Sequence, residues 1–211
     1  MLTSELRPEI VAADPSPLSA GLYWVPGRAL LPLARDVEYL PRLEALLRTH
    51  RPDAVLVGTD VELALLAANR ERLEREHETC IVVSSPEVVR IADDKYETFR
   101  FMTRHGFAPP DTELPGRQLA LAARVGYPLI VKPRIGARSV GLRLVRNEAE
   151  LERAVVEGGD VVIQEHVGTP DTEYTAGTLT LDGRCDASIV MRRDLRDGNT
   201  YRAFVAPFEE L

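Results

Sequence analysis

The sequence lacks long apolar runs and has few cysteines. Its longest unbroken apolar stretch in a helical pattern covers residues 63–68, whereas a membrane-spanning helix needs about 20 residues. Two cysteines among 211 residues exclude a disulfide framework, and four scattered histidines disfavour a Cys/His zinc site. The chain does not open with a basic segment, an apolar segment and a small-residue cleavage site. We therefore expect a cytoplasmic protein without membrane association.

Excess positive charge is lacking too. The formal net charge is −7, which argues against a nucleic-acid partner, because such proteins bind phosphates with surplus Lys and Arg. Acidic residues are missing from one stretch, however. Residues 114–147 contain no Asp or Glu but seven Lys and Arg residues. This stretch is therefore predicted to bind an anion.

The first part of the chain alternates predicted strands and helices. Apolar, β-branched segments predict strands at residues 9–13, 54–57 and 80–83. Helical periodicity predicts helices at residues 36–51 and 60–78. This alternation is typical of parallel βαβ units, so we predict an α/β, Rossmann-like half-domain.

The pattern changes after Asp93. A domain boundary is predicted near Ala92, which divides the chain into residues 1–92 and 93–211. Two long strands are predicted to form a hairpin with a tight turn at Asp182 and Gly183. The second part is therefore expected to be α+β with antiparallel pairing. Its predicted helices are 95–105 and 147–156, and its predicted strands are 129–132, 141–145, 161–165, 174–181 and 184–191.

A lysine and a glycine-containing loop lie in the basic stretch. Lys132 ends an apolar strand, where an unpaired ammonium costs several kcal/mol to desolvate, so it should have an anionic partner. The glycines of the following loop allow consecutive N–H groups to form an anion nest, and its Arg and Ser side chains add donors. The alternative is a surface hairpin whose lysine reaches into water. The loop consists of Gly136, Ala137, Arg138, Ser139, Val140 and Gly141.

This loop is not a Walker-type phosphate loop. It has the G-x-x-x-x-G spacing, but Leu142 and Arg143 replace the Lys-Ser/Thr pair that reaches the phosphates and magnesium. No G-x-G-x-x-G sequence opens a helix after a strand, so a dinucleotide fingerprint is lacking as well.

Polar residues also follow a later strand. Main-chain groups at a strand end can pair with an adenine edge, and a carboxylate some residues further on can accept ribose hydroxyls. The alternative is an ordinary polar strand end with a half-exposed histidine. The residues concerned are Gln164, Glu165, His166, Val167 and Glu173.

A second cationic cluster follows the last predicted strand. Arg192 and Arg193, with Arg196 nearby, could stabilise charge on a transferred phosphoryl group. A solvated loop balanced by Asp194 and Asp197 is the alternative.

Taken in order, these segments resemble the ATP-grasp superfamily, and most closely the carbamoyl-phosphate-synthase-like ATP-grasp proteins. The resemblance implies a Rossmann-like pre-ATP-grasp domain at residues 1–92 followed by an α+β ATP-grasp domain at residues 93–211. The matching segments are residues 58–63, 94–95, 127–141, 164–173 and 192–200.

The resemblance also implies an ATP-dependent ligase. In such enzymes a carboxylate attacks the γ-phosphorus of ATP, and an amine or another nucleophile captures the acyl phosphate. Lys95 and Lys132 would contact the ATP phosphates, and the loop at residues 136–141 would cover them. The segment from Gln164 to Val167 would meet adenine through its backbone, Glu173 would hold the ribose, and Arg192 or Arg193 would face the γ-phosphate or the acyl phosphate.

The chain departs from the family pattern at both ends. The family's first strand with its Gly-rich turn and its magnesium-binding segment have no match here, so we expect Mg²⁺ ligands outside this chain. Expected partners are ATP, a small carboxylate, and either a homo-oligomer or a partner chain that supplies the missing C-terminal part. A nucleotide-binding or interaction module without catalysis is the alternative.

A protein kinase is a weaker alternative. Arg193-Asp194-Leu195 with Asn199 imitates a kinase catalytic loop. In kinases, however, the glycine loop precedes the strand lysine, and a D-F-G sequence follows.

Overall fold

The computed structural model describes residues 7–136, 139–181, 183–196 and 198–205. The chain divides into two compact units, Met1–Arg90 and Ile91–Leu211. Among the described residues, no helix combines the length and the apolar character needed to span a bilayer.

The first unit contains two pairs of parallel strands. β1 (Val11–Asp14) pairs with β2 (Gly27–Leu30), and β3 (Ala54–Leu56) pairs with β4 (Cys80–Val82). The helices are α1 (Tyr39–His50) and α2 (Asp60–His77), and β3, α2 and β4 form one βαβ unit. The prediction of an α/β unit with parallel strands is therefore confirmed.

Helices α1 and α2 bury leucines at helical spacing. Leu43 and Leu47 of α1 join Leu66 and Leu73 of α2 and Ile81 of β4 in one core cluster. The residues are four positions apart in α1 and seven apart in α2, which places them on one face of each helix. The apolar periodicity therefore accounts for the core of this unit.

The second unit contains a four-stranded antiparallel sheet and a three-stranded one. The first has the order β5 (Thr112–Glu113), β8 (Val161–Glu165), β6 (Leu129–Pro133), β7 (Arg143–Val145). The second has the order β11 (Asn199–Val205), β10 (Arg184–Arg196), β9 (Tyr174–Leu181). The helices are α3 (Pro86–Asp93), which begins in the first unit, α4 (Lys95–Arg104), α5 (Gln118–Val125) and α6 (Glu148–Gly158). The predicted antiparallel α+β arrangement is confirmed.

One face of the four-stranded sheet is apolar, and the other, called the polar face below, carries Lys132 and Gln164 together with the buried Val162. Leu129 and Val131 of β6 and Ile163 of β8 are buried in a core cluster with Leu121 of α5 and Leu151 of α6. Because successive side chains of a strand point to opposite faces, the alternate residues of β6 and β8 lie on the other face. The site described below is built on that face.

Several elements were not predicted from the sequence. These are β2, the 3-10 helix Ala20–Tyr23, α3, α5, β5 and β11, and β10 continues to Arg196 instead of ending at Met191. Strand β5 has only two residues and α5 has eight, which is too short for a clear periodicity. Of the predicted turn between β9 and β10, Gly183 has a positive φ of 74° and Asp182 lies outside the described residues.

Candidate functional site

Lys132 lies on the polar face of the four-stranded sheet. Its side chain is half-buried, and Nζ donates a hydrogen bond of 2.6 Å to Oε1 of Gln164 on β8. Burial lowers the pKa of Lys132, and the nearby charge of Lys95 lowers it further. Lys132 is therefore a partly buried cation whose hydrogen-bond partner is a neutral amide.

Lys95 is the first residue of α4 and approaches the same place from the helix. Its Nζ donates to the carbonyl oxygens of Gly136 at 2.7 Å and of Arg134 at 3.4 Å. Burial lowers the pKa of Lys95, while the carboxylates of Asp93 and Asp94 act in the opposite direction. Gly136, the first residue of the loop predicted to bind phosphate, thus contacts the ammonium group of Lys95.

A carboxylate and a guanidinium fix the start of α4 beside the end of β6. Asp94 caps α4 by accepting hydrogen bonds from the main-chain N–H groups of Tyr96 and Glu97. Arg134 donates to both carboxylate oxygens of Asp94, from Nε at 2.8 and 2.9 Å and from Nη2 at 2.6 Å. The hydrogen bond from Arg134 lowers the pKa of Asp94. This clamp positions Lys95, and the sequence analysis missed it.

The two lysines line one cavity of about 260 Å³. Gln164 adds an amide, and Phe99, Met102 and Pro110 provide an apolar wall. A cavity with cationic groups and an apolar wall suits a ligand that has both an anionic and an apolar part. The remaining lining residues are Ala92, Thr98 and Pro109.

Composition carries a signal for this site that the sequence analysis did not use. The chain has 26 Lys and Arg residues, and Lys95 and Lys132 are its only two lysines. The ion pairs of the described residues involve arginines, whereas both lysines donate to neutral oxygens. Both lysines therefore meet at one cavity, and no carboxylate among the described residues forms an ion pair with either.

The glycine loop has backbone conformations that favour glycine. Gly136 and Gly141 have φ values of 138° and 75°, and Ser139 has a φ of 55°. A Cβ atom at Gly141 would lie 2.8 Å from Cγ of Pro133, so a glycine is required there for steric reasons as well. Val140 is 74% exposed. Ala137 and Arg138 lie outside the described residues, and the phosphate-binding role of the loop stays a prediction.

The segment predicted to meet adenine begins beside Lys132. Gln164 bonds Lys132 directly, and the Glu165 carboxylate accepts a hydrogen bond of 3.1 Å from the main-chain N–H of Asp111. His166 and Val167 follow the end of β8 and are exposed. Of this segment, Gln164 lines the cavity.

Glu173 and Arg193 contact each other. Nη2 of Arg193 lies 2.7 Å from Oε1 of Glu173, and the Arg193 N–H donates to the Glu173 carbonyl at 2.8 Å. Arg192, the residue before Arg193 in β10, lies on the opposite face of the sheet. Its Cζ atom lies 5.2 Å from the ring centroid of Phe204. The described contacts thus join Glu173 to Arg193 in one group and Lys95, Lys132, Gly136 and Gln164 in another. Asp197 lies outside the described residues.

The described residues around the lysine cavity do not fit magnesium. Mg²⁺ requires oxygen ligands, chiefly carboxylates, and this cavity offers two ammonium groups and one amide. In the first unit, Glu44, Glu76 and His77 could approach a metal ion together, but Arg72 already pairs with both glutamates.

Comparison with known proteins identifies related sequences and folds. Residues 92–181 match the family model of the ATP-grasp domain. The carbamoyl phosphate synthase large chain of Methanosarcina acetivorans is 27% identical over 148 residues, which cover 67% of this chain and 14% of that protein. The formate-dependent phosphoribosylglycinamide formyltransferase of Sulfolobus acidocaldarius is 28% identical over 153 residues, which cover 64% of this chain and 36% of that protein.

Two solved structures share the fold. The N5-carboxyaminoimidazole synthetase of Staphylococcus aureus complexed with ADP has a TM-score of 0.66 at 17% identity, covering 96% of this chain and 53% of that one. The biotin carboxylase of Campylobacter jejuni, in a β,γ-ATP complex, has a TM-score of 0.66 at 20% identity, covering 90% and 46%. The chain thus spans about half the length of these structures and 14% to 36% of the two sequence relatives. Residues 92–181 thus match the ATP-grasp domain family, and the chain shares the fold of these two solved structures.

Proposed function

We propose that the lysine cavity binds the phosphates of ATP, and that the chain is the nucleotide-binding part of an ATP-dependent ligase that activates a carboxylate. The observation that carries this proposal is the convergence of the only two lysines, Lys95 and Lys132, on one cavity. Residues 1–92 would be the pre-ATP-grasp domain and residues 93–211 the ATP-grasp domain, an assignment supported by the division after Arg90.

Electrostatics favours a polyanion in this cavity. Without a ligand, the pKa of each lysine is lowered by burial, and Lys95 lowers that of Lys132 further. A triphosphate would offset the repulsion and would replace neutral oxygens by charged acceptors, which form roughly twice as strong hydrogen bonds. The same groups would bind a neutral ligand poorly, so the cavity is selective for an anion.

The other roles follow from the arrangement around the lysines. The glycine loop at residues 136–141 would cover the phosphates, the backbone from Glu165 to Val167 would meet adenine, and Glu173 would bind the ribose. Ribose hydroxyls would then compete with Arg193 for the Glu173 carboxylate. The bound ADP and β,γ-ATP in two proteins of the same fold support a nucleotide as the ligand.

The proposed reaction is phosphoryl transfer followed by acyl transfer. A carboxylate oxygen of the substrate attacks the γ-phosphorus, the bond to the β-phosphate oxygen breaks, and ADP leaves. A nucleophile such as an amine then attacks the acyl carbon, loses a proton and displaces inorganic phosphate. Lys95 and Lys132 neutralise the phosphate oxygens, and Arg192 or Arg193 would face the γ-phosphate, since this chemistry depends on positioning and charge. ATP-dependent chemistry of this kind accords with a cytoplasmic location.

Calorimetric titration with ATP tests the site. Lys132→Ala should weaken binding by about 1.5 to 3 kcal/mol, the scale of a lost charge-assisted hydrogen bond, or about 10- to 150-fold in Kd. Arg146→Ala is the matched control, because it also removes one positive charge from the second unit but at an exposed position. Equal affinities of wild type and Lys132→Ala would refute the nucleotide site.

A second measurement addresses turnover. ADP release should require magnesium, a small carboxylate and an amine. It should be seen when this chain is combined with the segments that its relatives have and it does not span, either fused to it or added as a separate chain. Nucleotide binding without ADP release in either form would instead support a nucleotide-binding or interaction module.

A further inference from the structure

We propose that Thr112 is a positioning residue for Lys132, acting through the side-chain amide of Gln164. The proposal rests on the proposed nucleotide site. Thr112 is 1% exposed and lies directly across from Gln164 in the pairing of β5 with β8. It does not line the cavity, so any effect on the ligand must pass through its neighbours.

Three hydrogen bonds run in one direction from Lys132 through Gln164 and Thr112 to Pro110. The Thr112 hydroxyl donates to the carbonyl oxygen of Pro110 at 2.9 Å. Its oxygen accepts from Nε2 of Gln164 at 2.8 Å. Oε1 of Gln164 then accepts from Nζ of Lys132 at 2.6 Å. Gln164 and Thr112 each accept one of these hydrogen bonds and donate the next.

The donors and acceptors permit one orientation of the Gln164 amide. The Pro110 carbonyl can only accept, so it uses the Thr112 proton and leaves an oxygen lone pair for the amide NH₂. Turning the amide over would place its NH₂ against the ammonium of Lys132, and the Thr112 proton could then satisfy only one of two carbonyl oxygens. Thr112 and Lys132 therefore favour the same orientation of the amide, and Thr112 anchors the amide whose oxygen holds the Lys132 charge.

Thr112 also has an isosteric replacement that removes only its hydrogen-bonding hydroxyl. Valine keeps the shape of threonine but can neither donate nor accept. Thr112→Val should therefore leave the amide NH₂ without its acceptor, release the Gln164 side chain from this anchor, loosen the bond that holds Lys132 and weaken ATP binding by about 2- to 10-fold, the range of one neutral hydrogen bond. Thr112→Ser retains the hydroxyl and should bind ATP like the wild type.

A double-mutant cycle separates positioning from a structural effect. ATP affinity is measured by calorimetry for wild type, Thr112→Val, Lys132→Ala and the double variant. If Thr112 acts through Lys132, Thr112→Val should weaken binding in the wild type and have no further effect when Lys132 is absent. An equal loss in both backgrounds, or no loss in the wild type, would overturn the proposal.

Lysine NMR provides a readout that does not need the nucleotide. Because the chain has two lysines, [¹³Cε]lysine labelling yields two side-chain signals, and Lys132→Ala assigns them. Thr112→Val should lower the pKa of Lys132 further, because the Gln164 amide that accepts from the ammonium is no longer anchored, and should move the Lys95 signal less. An unchanged Lys132 titration would refute the proposal even if ATP did not bind, whereas a shifted titration without ATP binding would refute only the nucleotide site.

If Thr112→Val does not fold, Thr112→Ala removes the hydroxyl without adding a methyl group beside the amide and serves in both measurements.

Discussion

Replacing Asp94 by asparagine and by alanine should separate two contributions of one carboxylate to stability. Asp94 accepts two main-chain hydrogen bonds at the start of α4, at 2.9 and 3.1 Å. It also pairs with both nitrogens of the Arg134 fork, and the two side chains are 13% and 28% exposed. Asparagine can keep one oxygen for the helix cap but loses the negative charge, whereas alanine loses both.

The expected magnitudes follow from this geometry. A partly buried, bidentate ion pair lies between exposed pairs, which contribute about 0–1 kcal/mol, and buried pairs, whose disruption costs about 3–5 kcal/mol. We therefore expect Asp94→Asn to lower the free energy of unfolding by about 1–2 kcal/mol. A lost N-cap costs about 1 kcal/mol, so Asp94→Ala should cost about 2–4 kcal/mol.

The effect should depend on pH in a definite direction. The hydrogen bond from Arg134 lowers the pKa of Asp94 from 3.8 in the folded chain. The stability that the charge contributes is therefore fully present above pH 3.8 and is lost as the pH falls through the lowered pKa. The difference between wild type and Asp94→Asn should be largest near neutral pH and should narrow in acid.

Urea unfolding at neutral and at acid pH measures these differences. Asn147→Ala is the control, because Asn147 caps α6 by accepting from the Glu150 N–H, donates to the Glu150 carboxylate at an exposed position, and has no ion pair in the described structure. It should cost about 1 kcal/mol, and this cost should change less between the two pH values than that of Asp94→Asn, because an exposed hydrogen bond to a carboxylate is weaker than a partly buried ion pair. If Asp94→Asn matches the wild type near neutral pH, or if its cost is the same in acid, the clamp does not stabilise the chain in this way.

Three further predictions concern the lysines, the loop and the core. Because the pKa of both Lys95 and Lys132 is lowered, ATP binding should take up protons, and its affinity should fall as the pH rises toward 10.5. Calorimetry in buffers of different ionisation enthalpy measures the proton uptake, and a pH-independent affinity would contradict the prediction. Gly141→Ala should lower the free energy of unfolding by about 1–3 kcal/mol, because its φ is 75° and the new Cβ would meet a proline ring. In the same urea experiment Gly58→Ala, with no atom within 4 Å of the added Cβ, should change it by less than about 0.5 kcal/mol, and equal effects would refute the steric argument. Ile163→Ala, at a residue with 0% exposure, should cost about 2–5 kcal/mol in urea unfolding, and a cost below 1 kcal/mol would mean that the core refills the cavity.

Sequence patterns predicted the elements whose signals are local. Strand β9 has the predicted bounds, Tyr174–Leu181, because apolar and polar residues alternate up to a turn with a glycine. Helix α4 begins at the predicted Lys95, because Asp94 is a strong N-cap residue. Strand β11 was instead interpreted as part of a cationic cluster. Its apolar residues, Ala203 to Val205, are consecutive and exposed and do not alternate with polar ones, so no period of two distinguishes the strand from a loop.

The chemistry of the candidate site was also evident from the residues. Residues 114–147, which contain no acidic residue, and Lys132 at the end of an apolar strand predicted an anion-binding site, because a buried charge requires compensation. The role of each residue toward ATP stays a prediction. The resemblance to the ATP-grasp superfamily, first drawn from five short segments, is confirmed by the family match at residues 92–181.

The sequence by itself determined the helices and strands with clear periodicity, the change from parallel to antiparallel architecture and the cationic character of the site. Tertiary structure alone decided which side chains meet: Lys95 reaches Gly136 across 41 positions, Asp94 reaches Arg134 across 40, and Gln164 reaches Thr112 across 52. These contacts depend on the register of β5, β6 and β8 and on how α4 docks beside them. Register and docking result from the packing of the whole unit, which no local pattern of residues specifies.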